Sequence, residues 1–149
     1  MIEQINKGPK LPINAILATL DVTGAYANIP QDDGTKCMEE ALDDTLKSKL
    51  IVNLMELLLK HNLFEFHSAT RRQEIGSAMG VHPATSYANI YLARRIDKYI
   101  TDLSKNYQKG EASCLLLFKR FLDDIFQIFQ GTTRQLHAFF DDINRIHPT

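Results

Sequence analysis

Residues 115–129 read Leu-Leu-Leu-Phe-Lys-Arg-Phe-Leu-Asp-Asp-Ile-Phe-Gln-Ile-Phe, an apolar run with two adjacent carboxylates near its middle. Apolar and aromatic residues on both sides favour β-structure, and the polar pair favours a turn. The pattern predicts a hairpin with Asp123 and Asp124 at or beside its tip. Adjacent like charges repel unless something neutralises them. A hard divalent cation such as Mg²⁺ does so, because it takes oxygen ligands and binds through one or two carboxylates plus substrate phosphates.

An Asp-Asp pair alone is a weak signal, since Asp serves turns and helix caps. The chain has three others, Asp32-Asp33, Asp43-Asp44 and Asp141-Asp142, all in polar or amphipathic stretches. Only Asp123-Asp124 interrupts a hydrophobic hairpin, where bare charge is costly. A third carboxylate has a similar setting. Ala15 to Leu20 reads as a buried strand and runs straight into Asp21. Taken by itself, Asp21 reads as a capping or turn residue.

The 149 residues suffice for one domain with its own core. A net charge of -1 does not advertise nucleic-acid binding. Basic residues nevertheless cluster at Arg71-Arg72, at Arg94-Arg95 with Lys98, and at Lys119-Arg120, so a local basic track is expected. Cys37 and Cys114 stand far apart and outside any metal-ligand spacing, which argues against a disulfide framework. With no signal peptide and no membrane-spanning apolar run, an intracellular site, nuclear or cytoplasmic, is expected.

Pro30 and Asp32-Asp33 suit a helix start, with the helix running from Gln31 to Leu46 and Met38, Ala41, Leu42 and Thr45 on one face. A second helix is expected from Ser48 to His61, with Leu50, Ile51, Leu54, Leu57 and Leu58 as its core stripe. Leu63 to His67 alternates as a strand, Ser68 to Arg71 turns the chain, and Arg72 to Ile75 is the expected return arm. Gly76 and Gly80 bracket small residues and allow close approach of a backbone to a ligand, although an ordinary loop has the same composition. Pro83 opens a helix expected to reach Leu103, with Ala84 and Ala88 as a small-residue face. Thr133 is the expected cap of a last helix with the stripe Leu136, Phe139, Phe140 and Ile143. Strands interleaved with helices in this way predict an α+β domain, with a small antiparallel sheet and helices packed mainly on one face. If the strand ending at Asp21 pairs with the Asp123-Asp124 hairpin, three carboxylates meet at one edge.

An Asp at a strand end, a glycine loop and an Asp-Asp hairpin, in that order, resemble the palm of a nucleotide polymerase, and in detail that of reverse transcriptases. Leu20-Asp21-Val22 with Tyr26 resembles their first palm motif. Gln73 to Gly80 resembles the second. Phe121-Leu122-Asp123-Asp124 resembles the third, with Phe121 where most members carry Tyr. Thr19 to Thr23, Tyr26 to Pro30, Ala78-Met79-Gly80, Pro83 to Asn89 and the closing His147-Pro148-Thr149 are similar to the Penelope-like retroelement branch. The resemblance covers residues 15–149. Val81-His82 departs from it, standing where relatives often have a more basic run.

The resemblance implies an RNA-directed DNA polymerase core with two-metal nucleotidyl transfer from a dNTP to a primer 3′-hydroxyl. Mg²⁺ is the implied metal, as two ions, with Mn²⁺ as a substitute. It implies Asp21 and Asp123 as principal ligands, Asp124 as the supporting acid and the Val22 carbonyl as a further oxygen. It places Tyr26 beneath the sugar, and Gln73, Gly76, Met79 and Gly80 along the nascent pair and template. RNA template, DNA primer and dNTP are the implied partners. Residues 1–14 are then a truncated lead-in and 15–149 the palm core. Fingers are expected before residue 1 and a thumb after residue 149, with an endonuclease domain in many relatives. The competing expectation is a catalytically inactive or recruited palm fragment, working as a nucleic-acid-binding or interaction module.

Overall fold

The computed structural model describes residues 10–78, 80–107 and 114–146. The first strand, β1 (Ala15–Asp21), leads into a single helical turn, α1 (Ala25–Asn28), and then α2 (Gln31–Ala41) and α3 (Leu46–Lys60). A short hairpin follows, β2 (Leu63–Phe66) and β3 (Ala69–Arg72). Helix α4 (Ala84–Leu92) passes through a π turn at Ala93–Asp97 into α5 (Lys98–Tyr107). The second hairpin, β4 (Leu115–Phe121) and β5 (Asp124–Gln130), leads to α6 (Thr133–Asn144). The fold is mixed α+β with antiparallel sheets. No helix among the described residues is long and apolar enough to cross a membrane.

The larger sheet has the order β1-β5-β4, so the last strand lies between the first and the fourth. Its register sets Leu20 opposite Ile125 and Phe118 opposite Gln127. Side chains directly opposite in an antiparallel pair share a face, and alternate residues swap faces. Leu20, Phe118 and Ile125 therefore lie on one face, and all three pack into the core with Met38, Val52, Tyr87, Ala88 and Ile96 from the helices. Phe129, on the same face, meets Phe139 of α6 with ring centroids 5.8 Å apart. The opposite face carries Leu17, Thr19, Asp21 and Phe121, all exposed. That face also carries Phe126 and the buried Ile128, so it is polar only toward the end where Asp21 and Asp124 stand.

Ala84 and Ala88 are both buried, as a small-residue face requires. Other boundaries differ from the sequence reading. Helix α2 ends at Ala41, and Thr45 lies on no helix face. Instead its hydroxyl accepts from the Ser48 amide and caps α3, satisfying an otherwise unpaired helix-start N–H. The expected stripe of α3 also faces the wrong way. Ser48, Val52, Met55 and Leu59 are buried, while Leu50, Ile51, Leu54, Leu57 and Leu58 are exposed. This helix has two apolar faces, and its packing against α2 selects the less leucine-rich one.

The first hairpin turns more tightly than expected. His67 and Ser68 both have positive φ, 50° and 58°, which is the geometry of a two-residue hairpin turn. The return arm is therefore Ala69–Arg72 and not Arg72 to Ile75. The cap of α6 is Thr132 and not Thr133. Its hydroxyl accepts from the Gln135 amide, while the Gln135 side chain accepts from the Thr132 amide, a reciprocal capping box. Of the expected α6 stripe, Leu136 and Ile143 are buried, and Phe139 and Phe140 are half-buried.

Candidate functional site

The β1–β5 register brings Asp21 opposite Asp124, at the end of the sheet where the second hairpin turns. The Val22 amide donates to the Asp123 carbonyl at 3.0 Å, so the exit of β1 is sewn to the hairpin tip. Asp21 and Asp124 are exposed on the face away from the helices, and Asp123 is half-buried in the turn. The backbone thus delivers three carboxylates to one corner. Among the described residues, no group of three or more His, Cys, Asp or Glu side chains is gathered so that it could hold a metal ion. Mutual repulsion favours separation of like charges without a cation between them. The donor set itself suits a hard cation: three carboxylates and the carbonyl of Val22. That carbonyl already accepts from the Ala25 amide at 3.2 Å and keeps a second lone pair.

The tip stores strain. Leu122 has φ 54°, in the left-handed region that a branched residue rarely enters. Such a conformation costs on the order of 1–3 kcal/mol and persists only where the surroundings over-determine it. Tyr26, on α1, borders one small crevice together with Asn89, Leu122 and Asp123. The expected sugar-facing residue and one expected metal ligand therefore lie along one seam, too tight to admit a water molecule.

The glycine loop docks onto α1. The Gly76 amide donates to the Ile29 carbonyl at 2.8 Å, and the Ser77 amide to the Tyr26 carbonyl at 2.7 Å. The Gln31 side chain closes the seam, donating to the Gly76 carbonyl at 3.1 Å and the Gln73 carbonyl at 3.3 Å. The close approach that Gly76 permits is thus to the protein's own backbone at Tyr26 and Ala27. Gln73 is committed within its neighbourhood: its side chain accepts from Asn62 at 2.7 Å and donates to the Ile75 carbonyl at 2.8 Å. Gly80 has φ 90° and open space where a Cβ would be. Met79 lies outside the described residues.

The basic clusters are absorbed by structure only in part, since Arg71, Arg72, Lys98 and Lys119 stay exposed. Arg94 donates to the Glu40 carbonyl, and Arg95 pairs with Asp33 while lying 5.9 Å from the centre of the Tyr91 ring. Burial first, and Asp33 next, push the Tyr91 hydroxyl up to about 12. Burial also raises the Cys37 thiol, the opposite of what a reactive thiolate needs. Arg71 and Arg72 are exposed, with Arg72 3.6 Å from Glu74. Arg120 belongs to no surface track. Its side chain is only 5% exposed and pairs with Asp97. The sequence reading counted it in a basic surface cluster with Lys119, although its place two residues after the inward Phe118 is the period-2 sign of an inward strand position.

No family model matches the chain, and no curated protein matches it either.

Proposed function

We propose that this chain is the palm core of a reverse transcriptase of the Penelope-like kind, an RNA-directed DNA polymerase. The observation that carries the reading is the cross-strand pairing of Asp21 with Asp124, beside Asp123 in a strained, pinned turn. A set of hard oxygen donors on the open face of a sheet is what metal-assisted phosphoryl transfer requires. Asp21, Asp123 and Asp124 would hold Mg²⁺ or Mn²⁺, which when bound supplies charge stabilisation and a more acidic primer hydroxyl. The protein's own contribution is position. Val22 fixes the spacing between Asp21 and the tip, and Tyr26, half-buried beside Asp123, would crowd a sugar 2′-hydroxyl there. Gly76 seats the loop that flanks Tyr26, and Gly80 offers the open backbone against which a template strand runs.

Calorimetric Mn²⁺ titration tests the metal site. Asp123→Asn should weaken binding by about tenfold or more, because losing one charged contact of about 1.5 kcal/mol already costs that factor. Equal affinity in wild type and variant removes Asp123 from the site. Templated extension of a DNA primer on RNA tests the reaction, and sugar choice within that assay tests Tyr26. Tyr26→Ala should raise ribonucleotide use relative to deoxynucleotide by about tenfold or more, the scale of small steric discrimination. Unchanged discrimination assigns Tyr26 to the core alone.

An interaction module is a second reading with its own observation. The exposed face of α3, with Leu50, Leu54 and Leu57, stands near in sequence to exposed Leu63, Phe64 and Phe66 of the first hairpin. Large exposed apolar areas mark association surfaces. A well-folded chain that neither binds Mn²⁺ nor extends a primer when fingers and thumb are supplied favours this reading.

A further inference from the structure

We propose that Arg120 is the positioning residue that sets where the Asp123-Asp124 tip stands. The inference rests on the polymerase reading for its consequence, and on contacts within the fold for its mechanism. The Arg120 guanidinium makes four hydrogen bonds. Nε donates to Asp97 Oδ1 at 2.9 Å and Nη2 to Asp97 Oδ2 at 2.7 Å, a two-pronged pair. Nη1 donates to Asn89 Oδ1 at 2.8 Å and to the backbone carbonyl of Leu122 at 2.9 Å. One buried cation thus ties β4 to α4, to the π turn and to the hairpin tip.

The last of these contacts goes beyond packing. Leu122 is the strained turn residue and immediately precedes Asp123. Its carbonyl is gripped from the helix side by Arg120, while the Asp123 carbonyl is gripped from the β1 side by Val22. The two grips act on successive peptide groups, which is how a disfavoured backbone conformation is over-determined. Asp97 closes the π turn, and such turns occur frequently at functional sites. Two-pronged geometry fixes the plane of the guanidinium, so the direction of the Leu122 contact is fixed with it. A lysine carries the same charge as a point and lacks the fork, so it does not span carboxylate, amide and carbonyl together.

The test uses the whole chain, isotope-labelled, and follows three quantities: thermal midpoint, exchange of the Val22 amide, and Mn²⁺ affinity. The variant pair Arg120→Met with Asp97→Leu removes the ion pair without leaving a lone buried charge, a change that proteins often tolerate. It should keep a cooperative thermal transition. Its Val22 amide should exchange about tenfold faster or more, because the hydrogen bond to Asp123 is no longer braced from the other side. Its Mn²⁺ affinity should fall about ten- to a hundredfold, the usual loss when a group supporting a metal ligand is removed. Arg120→Lys carries the same expectations and takes over the test if the double variant does not fold. In an Asp123→Asn background, Arg120→Lys should add no comparable loss of affinity, which a merely global effect would add. Unchanged Mn²⁺ affinity in a folded Arg120 variant overturns the proposal. Wild type that binds no Mn²⁺ overturns the polymerase reading, and the Val22 exchange rate then still decides whether Arg120 positions the tip.

Discussion

Alanine at Asp21 or at Asp123 should lower templated DNA synthesis by about a thousandfold or more, since charge stabilisation at the reacting phosphorus is the main work of such a site. The measurement is single-nucleotide incorporation on an RNA template with Mg²⁺, with the chain joined to the fingers and thumb of an active reverse transcriptase. Residues 1–149 by themselves should give no measurable extension. On the polymerase reading fingers and thumb would contribute substrate contacts, and a misplacement of about 1 Å already costs a hundredfold in rate. Asp124→Ala should cost less than either, in keeping with a supporting role. Folding should survive all three changes. Asp21 and Asp124 are exposed, and Asp123 is half-buried. Removing one of several neighbouring negative charges relieves repulsion, so the thermal midpoints should stay level or rise. Synthesis at the wild-type rate by Asp21→Ala or Asp123→Ala would sink the polymerase reading. Robust synthesis by residues 1–149 alone would overturn the fragment reading while leaving the metal site intact.

A large effect on stability is expected at Gly76. An alanine Cβ there collides with the carbonyl groups of Tyr26 and Ala27, which are backbone and cannot swing aside. The residue also has φ 75°, a conformation that side chains rarely adopt. Crowding and strain each cost about 1–3 kcal/mol, so Gly76→Ala should lose at least about 2 kcal/mol. For a chain of this size the thermal midpoint should drop by roughly 4–8 °C or more. Gly80→Ala is the control. Gly80 has φ 90° but nothing near the added Cβ, so only the strain remains and the loss should be smaller. A Gly76→Ala midpoint equal to wild type would show that the loop does not dock on α1 as described. The same variant should loosen Tyr26, whose carbonyl accepts the Ser77 amide across this seam.

Much of the site's backbone was legible in the chain itself. The apolar run ending in Asp21 and the apolar run broken by Asp123-Asp124 are contiguous signals. A strand needs only local alternation or continuity, and a hairpin needs only a polar break between two such runs. The α+β class followed from the order of those signals. Their likeness in setting, charge at the end of an apolar strand, also suggested that the two would be neighbours, and the register places Asp21 opposite Asp124; the first strand, expected to be buried, is instead half-buried with Leu17 and Thr19 exposed.

Other features required the assembled chain. The stretch Leu46–Lys60 is apolar on two sides, so periodicity could not say which side faces the core, and packing against α2 chose Val52, Met55 and Leu59. Thr45 looked like a helix-face residue until the break after Ala41 made it the cap of α3. The roles of Gly76 and Arg120 depend on partners 45 or more residues away for the former and 23 to 31 away for the Asp97 and Asn89 contacts of the latter. Sequence by itself determined where charge interrupts apolar strands, because burial and turn formation act over a few neighbouring residues. Tertiary structure alone decided what braces those charges, because a buried guanidinium is defined by the groups that surround it in space.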